Sequence, residues 1–231
     1  MKRIIIITAA LLAAVSCMHQ SRKDDCSDFT QQELSIIRSA DSIMRVLTVR
    51  DSLDLAVLRS SSTCLSAASL RSEEYARLAS LMVSTVTHPS QDGVGIAGPQ
   101  VGLNRRVVAV QRFDKDPVII DGQPVHPFEV YPNIRIVWAS DSLASGPEGC
   151  LSVPDRRGNV LRSKEIVIEY TDLDAIADES TCKDSKRSDL PVIRDTVSGF
   201  TAVIFQHETD HLDGILYTDR LETMKAENAS F

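Results

Sequence analysis

His207-Glu208-Thr209-Asp210-His211 sets two imidazoles four residues apart with a carboxylate between them. On a helix such a pair lies one turn apart on one face, where both ring nitrogens reach a single divalent metal. Glu208 then stands beside the metal, free to take a proton from a bound water and pass it on. A catalytic centre of this kind needs three protein ligands and one open position. The strongest candidate for the third is Cys150, within Glu148-Gly149-Cys150-Leu151-Ser152. A thiolate suits Zn2+ or Fe2+, and Gly149 lets backbone come close. A glutamate after the helix, Glu222 or Glu227, is the rival third ligand, in the manner of zinc peptidases.

A third segment, Gly93-Val94-Gly95-Ile96-Ala97-Gly98-Pro99-Gln100, supplies the means to hold a substrate. Gly93 and Gly95 allow a peptide backbone to lie close and pair as a strand would. The Gln100 side-chain amide and the Leu151 backbone N–H are candidate donors to an oxyanion formed by attack on a carbonyl.

These residues need elements to position them. Ser198 begins a predicted helix whose face carries Phe200, Val203, Ile204, His207 and His211, and Gly214 closes it. Ser72-Glu73-Glu74 opens another, continued by Tyr75, Leu78, Leu81, Met82 and Val86 as far as Thr87-His88-Pro89. Arg106–Gln111, Phe128–Trp138 and Lys164–Thr171 read as strands. Ile36, Ile37, Ala40, Ile43, Met44 and Leu47 share a helical spacing and predict an appended helix, whereas Arg45–Arg59 reads as strand and loop. Ala175–Asp195, charged and Ser-rich, reads as an exposed loop or insertion. The expected class is α+β, antiparallel strands packed around a central metal-binding helix. Arg156, Arg157 and Arg162 read as a solvated face, the alternative being that they neutralise nearby carboxylates or a substrate terminus.

The three segments resemble, in order, the three motifs of the peptide deformylases. Gly93–Gln100 matches the first, Glu148–Ser152 the second and His207–His211 the third, with the likeness running from about Met44 to Leu221. The resemblance implies that Cys150, His207 and His211 hold the metal, Fe2+ with Zn2+ or Ni2+ able to replace it. It implies that Gln100 and Leu151 stabilise the tetrahedral intermediate and that Glu208 shuttles protons. The implied reaction releases formate from an N-formylmethionyl peptide. Val94, Phe200, Val203 and Ile204 stand where such enzymes form the methionine pocket. Gly98 replaces an alanine usual in the first motif, a change expected to loosen Gln100.

At 231 residues and 43% hydrophobic, the chain can bury one good core. Its net charge of −7 gives no basic field for nucleic acid, and a monomer is expected. Residues 1–17 have the form of an export signal: Lys2-Arg3, an apolar run from Ile4 to Val15, then small residues before Cys17. The run falls short of the ~20 residues that span a bilayer. It resembles a bacterial lipobox, which makes Cys17 the lipidated first residue of a membrane-anchored envelope protein, with residues 18–43 as tether and appended helix and 44–231 as the catalytic domain. The alternatives are a soluble periplasmic or a cytoplasmic protein. Beyond Cys17 and Cys150, Cys26, Cys64 and Cys182 permit one disulfide, and the sequence does not select it. Two other functions compete with deformylation: an exported zinc peptidase, and a non-catalytic lipoprotein that uses the metal fold for binding.

Overall fold

The computed structural model describes residues 26–91, 93–176 and 189–222. The export-signal reading of 1–17, Cys17, Cys182 and Glu227 therefore fall outside the described residues. Among those described, no helix is long and apolar enough to cross a membrane.

The chain starts with a short strand β1 (Cys26–Ser27) and helix α1 (Gln31–Ser39). Thr30 caps α1 through a reciprocal pair of hydrogen bonds with Glu33. The helix ends at Ser39 rather than running on to Leu47, because Arg77 reaches across and donates to the free carbonyls of Ile37 and Ala40. Met44 and Leu47 are buried all the same, on extended chain. Helix α2 (Ser52–Leu58) replaces the expected strand and loop. Asp51 nucleates it by accepting from the Leu53 and Asp54 N–H groups, a signal already present in the sequence.

Next come β2 (Cys64–Leu65), α3 (Ala67–Leu70) and α4 (Glu73–Val86). Ser72 caps α4 as expected, and its five predicted core residues are buried. Strand β3 (Gly95–Ala97) leads through a 3-10 turn at Gly98–Val101 to β4 (Val107–Gln111). A hairpin, β5 (Val118–Ile120) and β6 (Gln123–Val125), then interrupts the path to β7 (Phe128–Pro132) and β8 (Arg135–Ala139). Strands β9 (Leu143–Cys150) and β10 (Val153–Ser163) form a long hairpin turned at Leu151-Ser152. Strand β11 (Glu165–Thr171), the short helix α5 (Leu173–Ile176), β12 (Val192–Ser198) and helix α6 (Gly199–Leu212) complete the domain. The expected insertion thus stops at Val192, where β12 begins pairing with β11.

Two antiparallel sheets, ordered β3-β4-β7 and β12-β11-β8, enclose α6. Strand β4 explains the layering. Val108 and Val110 face the α6 side with Ala202, Ile204 and Phe205. Val107 and Ala109 face α4 and α1, among Leu78, Met82 and Ile37. A strand covered on both faces cannot alternate apolar with polar, which is why its sequence is an unbroken apolar run. Helix α6 is buried over most of its length, so its two histidines and Glu208 lie inside the protein.

Candidate metal centre

The site residues converge from separate elements of the chain. His207 and His211 come one turn apart from α6, and Cys150 from the last position of β9. Their ligand atoms lie within 4.8 Å of one another. Cys150 Sγ is 3.2 Å from His211 Nε2. His207 turns its other nitrogen, Nδ1, to Glu148 Oε2 at 2.8 Å. That contact fixes the ring and leaves Nε2 for the centre.

Behind Glu148 stands a buried charge network built on Arg162, which the sequence reading placed on a solvated face. Arg162, 4% exposed, donates to both Glu148 oxygens at 2.8 and 3.0 Å. Its third nitrogen reaches Asp210 Oδ2 at 2.6 Å, and Arg220 grips Asp210 through two hydrogen bonds. Burial alone would raise the Glu148 pKa, but hydrogen bonds from His207 and Arg162 bring it down to about 2. The two histidines separate for a related reason. Burial opposes charge on both, yet hydrogen bonds to Cys150 and Glu148 raise His207 to about 10. His211, deeply buried and facing the His207 charge, is held well below the ordinary histidine value.

Glu208 is buried, and among the described residues its Oε2 has no hydrogen-bond partner. Burial lifts its pKa to about 7. It packs so tightly on β3 that a Cβ at Gly95 would come within 2.6 Å of Glu208 Oε1 and 2.8 Å of Ile204. Gly95 therefore serves close packing against Glu208 and Ile204, a role separate from the substrate approach expected from the sequence.

Gln100 is fixed firmly. Its Oε1 accepts from the Ala97 N–H at 2.8 Å, and its Nε2 points to Ser152 Oγ at 3.2 Å and Cys150 Sγ at 3.5 Å. The expected loosening by Gly98 does not occur. A Cβ at position 98 would lie 2.7 Å from the Arg105 carbonyl oxygen and 2.8 Å from that of Leu103, so the backbone of this chain leaves room only for glycine.

A cavity of about 420 Å3 opens on this constellation. Gly93, Val94, Gly95, Gln100, Leu151, Phe200, Val203, Ile204 and Glu208 line it, together with Cys150 and His207, so every residue assigned to substrate reaches it. His211 closes the centre from beneath, with no exposed surface. Glu222, the rival ligand, instead accepts a hydrogen bond from Ser145. The sequence reading did not assign Glu148 and Asp210 a supporting role, and for Arg162 the structure favours the second reading, neutralisation of nearby carboxylates. The signal for Glu148 was its place two residues before Cys150, but nothing local marks Arg162.

A sulfur and two imidazoles converging in a buried pocket, one imidazole held by a carboxylate, suit a divalent transition metal. With an unpaired carboxyl and a fixed amide beside them, they define a metal-dependent hydrolase. The polypeptide deformylase family model matches residues 43–227. The chain belongs to the peptide deformylase family, metal-dependent enzymes that remove the N-formyl group from peptides. It is 32% identical over 169 residues to a peptide deformylase of Leptospira biflexa, covering 73% of this chain and 84% of that one. Peptide deformylase 2 of Gloeobacter violaceus is 37% identical over 154 residues, 67% of this chain and 70% of its own. Among solved structures, a class I type b peptide deformylase from Acinetobacter baumannii with Met-Ala-Ser bound superposes with a TM-score of 0.60 at 31% identity. That likeness covers 78% of this chain and 98% of the other.

Proposed function

We propose that this chain hydrolyses N-formylmethionyl peptides with Cys150, His207 and His211 holding one Fe2+, which Zn2+ or Ni2+ can replace. The carrying observation is the convergence of the three ligand atoms beside a buried, unpartnered Glu208 oxygen. When bound, the metal supplies Lewis acidity, polarising a carbonyl and making water more acidic. The formylmethionine backbone lies along Gly93–Gly95, and its side chain enters the apolar lining of Val94, Phe200, Val203 and Ile204. The Gln100 amide and the Leu151 N–H hold the formyl oxygen as it gains negative charge. Glu208 takes a proton from the attacking water and returns it to the departing amine, so formate and a free N-terminus result. The Met-Ala-Ser held by the Acinetobacter relative is the product such a reaction leaves.

Formate release from formyl-Met-Ala-Ser, with protein prepared anaerobically in Fe2+, tests this reading. Glu208→Gln is expected to keep the metal and lose about 10²–10⁴-fold in turnover. Undiminished turnover in that variant would remove Glu208 from its role.

We further propose that the enzyme works as a monomer outside the cytoplasm, anchored through a lipid on Cys17. The export signal in residues 1–17 supports this. So does the Cys26–Cys64 disulfide, since such bonds persist in oxidising compartments. Recovery of all the protein in the cytosol without lipid would rule the location out.

A further inference from the structure

The β5–β6 hairpin has no counterpart in the work of the metal centre. Among the described residues its strands pair only with each other, joined by Asp121-Gly122, both in the left-handed region at φ 50° and 76°. It exposes three consecutive β-branched residues: Val118 at 47%, Ile119 at 70% and Ile120 at 52%. A two-stranded hairpin has little stability of its own, and apolar side chains exposed on both of its faces, Val118 and Ile120 on one and Ile119 on the other, mark a surface suited to a partner.

Its base is tied into the domain. Gln111 Nε2 donates to the His126 carbonyl and the Arg112 N–H to that of Pro127. His126 packs on Phe113 with ring centroids 5.2 Å apart, and Phe113 packs on Phe200 at 5.3 Å. Phe200, more than half exposed, is also on the rim of the metal-centre cavity. The register sets Val118 opposite Val125, next to His126. An apolar, aromatic path thus leads from the cavity rim through Phe200, Phe113 and His126 onto the hairpin.

Charge distinguishes what this path accepts. The cations at the hairpin base are already engaged, Arg112 by Asp114 and Asp195 and Lys115 by Glu129. Asp116 and Asp121 flank the apolar residues. Such a surface lacks the basic residues that draw proteins to anionic lipid and carries acids that oppose it. A peptide whose residues beyond the formylmethionine are uncharged and apolar meets no charge penalty there.

We propose that the β5–β6 hairpin extends the substrate cleft into a second recognition site, which selects formyl peptides with bulky apolar residues several positions beyond the formylmethionine. This rests on the deformylase reading and adds the class of peptide preferred. The test compares formyl-Met-Ala-Ser with formyl-Met-Ala-Ser-Ile-Leu-Ile and formyl-Met-Ala-Ser-Asn-Ser-Asn, using the full chain, its metal-loaded form and an Ile119→Ser/Ile120→Ser variant. Burying even one such side chain supports an expected gain of about tenfold in kcat/KM for the apolar hexapeptide, through KM. The double variant should lose that gain while its rate on the tripeptide stays unchanged. Affinities of the deformylated hexapeptides, measured by fluorescence anisotropy, should show the same preference and the same loss. Equal affinity for apolar and polar hexapeptides, or a preference that survives the double substitution, overturns the inference. So does a variant that loses only liposome binding or self-association. If formate appears from no peptide but the affinity preference stands, the deformylase reading fails and the recognition site remains.

Discussion

Two buried arginines show how differently this molecule uses the same side chain. Among the described residues Arg162 donates only to carboxylates, Glu148 on one side and Asp210 on the other, and through Glu148 it reaches His207. Arg105, 3% exposed, meets one carboxylate, Glu33, and then a set of neutral oxygens: the Ser27 and Thr63 hydroxyls and the carbonyls of Ser27, Asp28 and Cys64. Beside it the Cys26–Cys64 disulfide joins the same two segments. One arginine arranges charge around a metal centre. The other gathers the N-terminal strap, residues 26–47, onto the domain. Where the local charge must be controlled, the partners are ionic; where a segment must be fastened, they are backbone carbonyls and a covalent bond.

The contrast is sharpest if Arg162 is removed. Arg162→Met leaves Glu148 and Asp210 without their shared cation, and removing one partner of a buried pair costs about 3–5 kcal/mol. Because Glu148 orients His207, metal affinity should also fall about 10–100-fold. Urea unfolding and metal titration measure the two effects, and an unchanged metal affinity would break the comparison. Reducing the Cys26–Cys64 bond, whose partners lie 38 residues apart, should cost stability of ~2–4 kcal/mol. It should leave kcat/KM for the formyl tripeptide within about twofold. A large loss of turnover on reduction would show that the strap serves the site after all.

The smallest effect comes from acid. Burial pushes the Glu33 pKa up, but Arg105 and the Thr30 N–H together hold it below the ordinary value. A depressed carboxyl contributes stability above its unfolded pKa and loses it as pH falls through the folded value, hence below about pH 4. Limited pepsin digestion at about pH 3 should cut the strap first and α6 last. First cleavage in α6 would contradict the division of labour between the two arginines.

Much of the site was legible because its signals are local. The four-residue spacing of His207 and His211 needs only the pitch of a helix to become a pair of ligands. The Ser72 cap and the apolar spacing through Val86 specify α4 within one turn of chain, and Asp51 offered the same kind of signal for α2, overlooked amid a mixed pattern. The helical spacing from Ile36 to Leu47 misled in its second half: Met44 and Leu47 are buried on extended chain, Met44 in the cluster that holds Leu78, Leu81 and Met82, rather than as members of a helix.

What the order of residues determined by itself was the chemistry available: a thiol, two imidazoles, a carboxylate and an amide, in segments whose local patterns made helix, strand and turn. Only the tertiary structure decided which distant groups answer one another. Arg162 is 14 residues from Glu148 and 48 from Asp210, and no local rule brings them together. Cys26 chose Cys64, and Gly98 proved necessary because the Leu103 and Arg105 carbonyls close over it. Periodicity acts along the chain over a few residues, whereas charge pairing, cross-linking and steric exclusion act through space, and space is assigned only when the sheets have packed around α6.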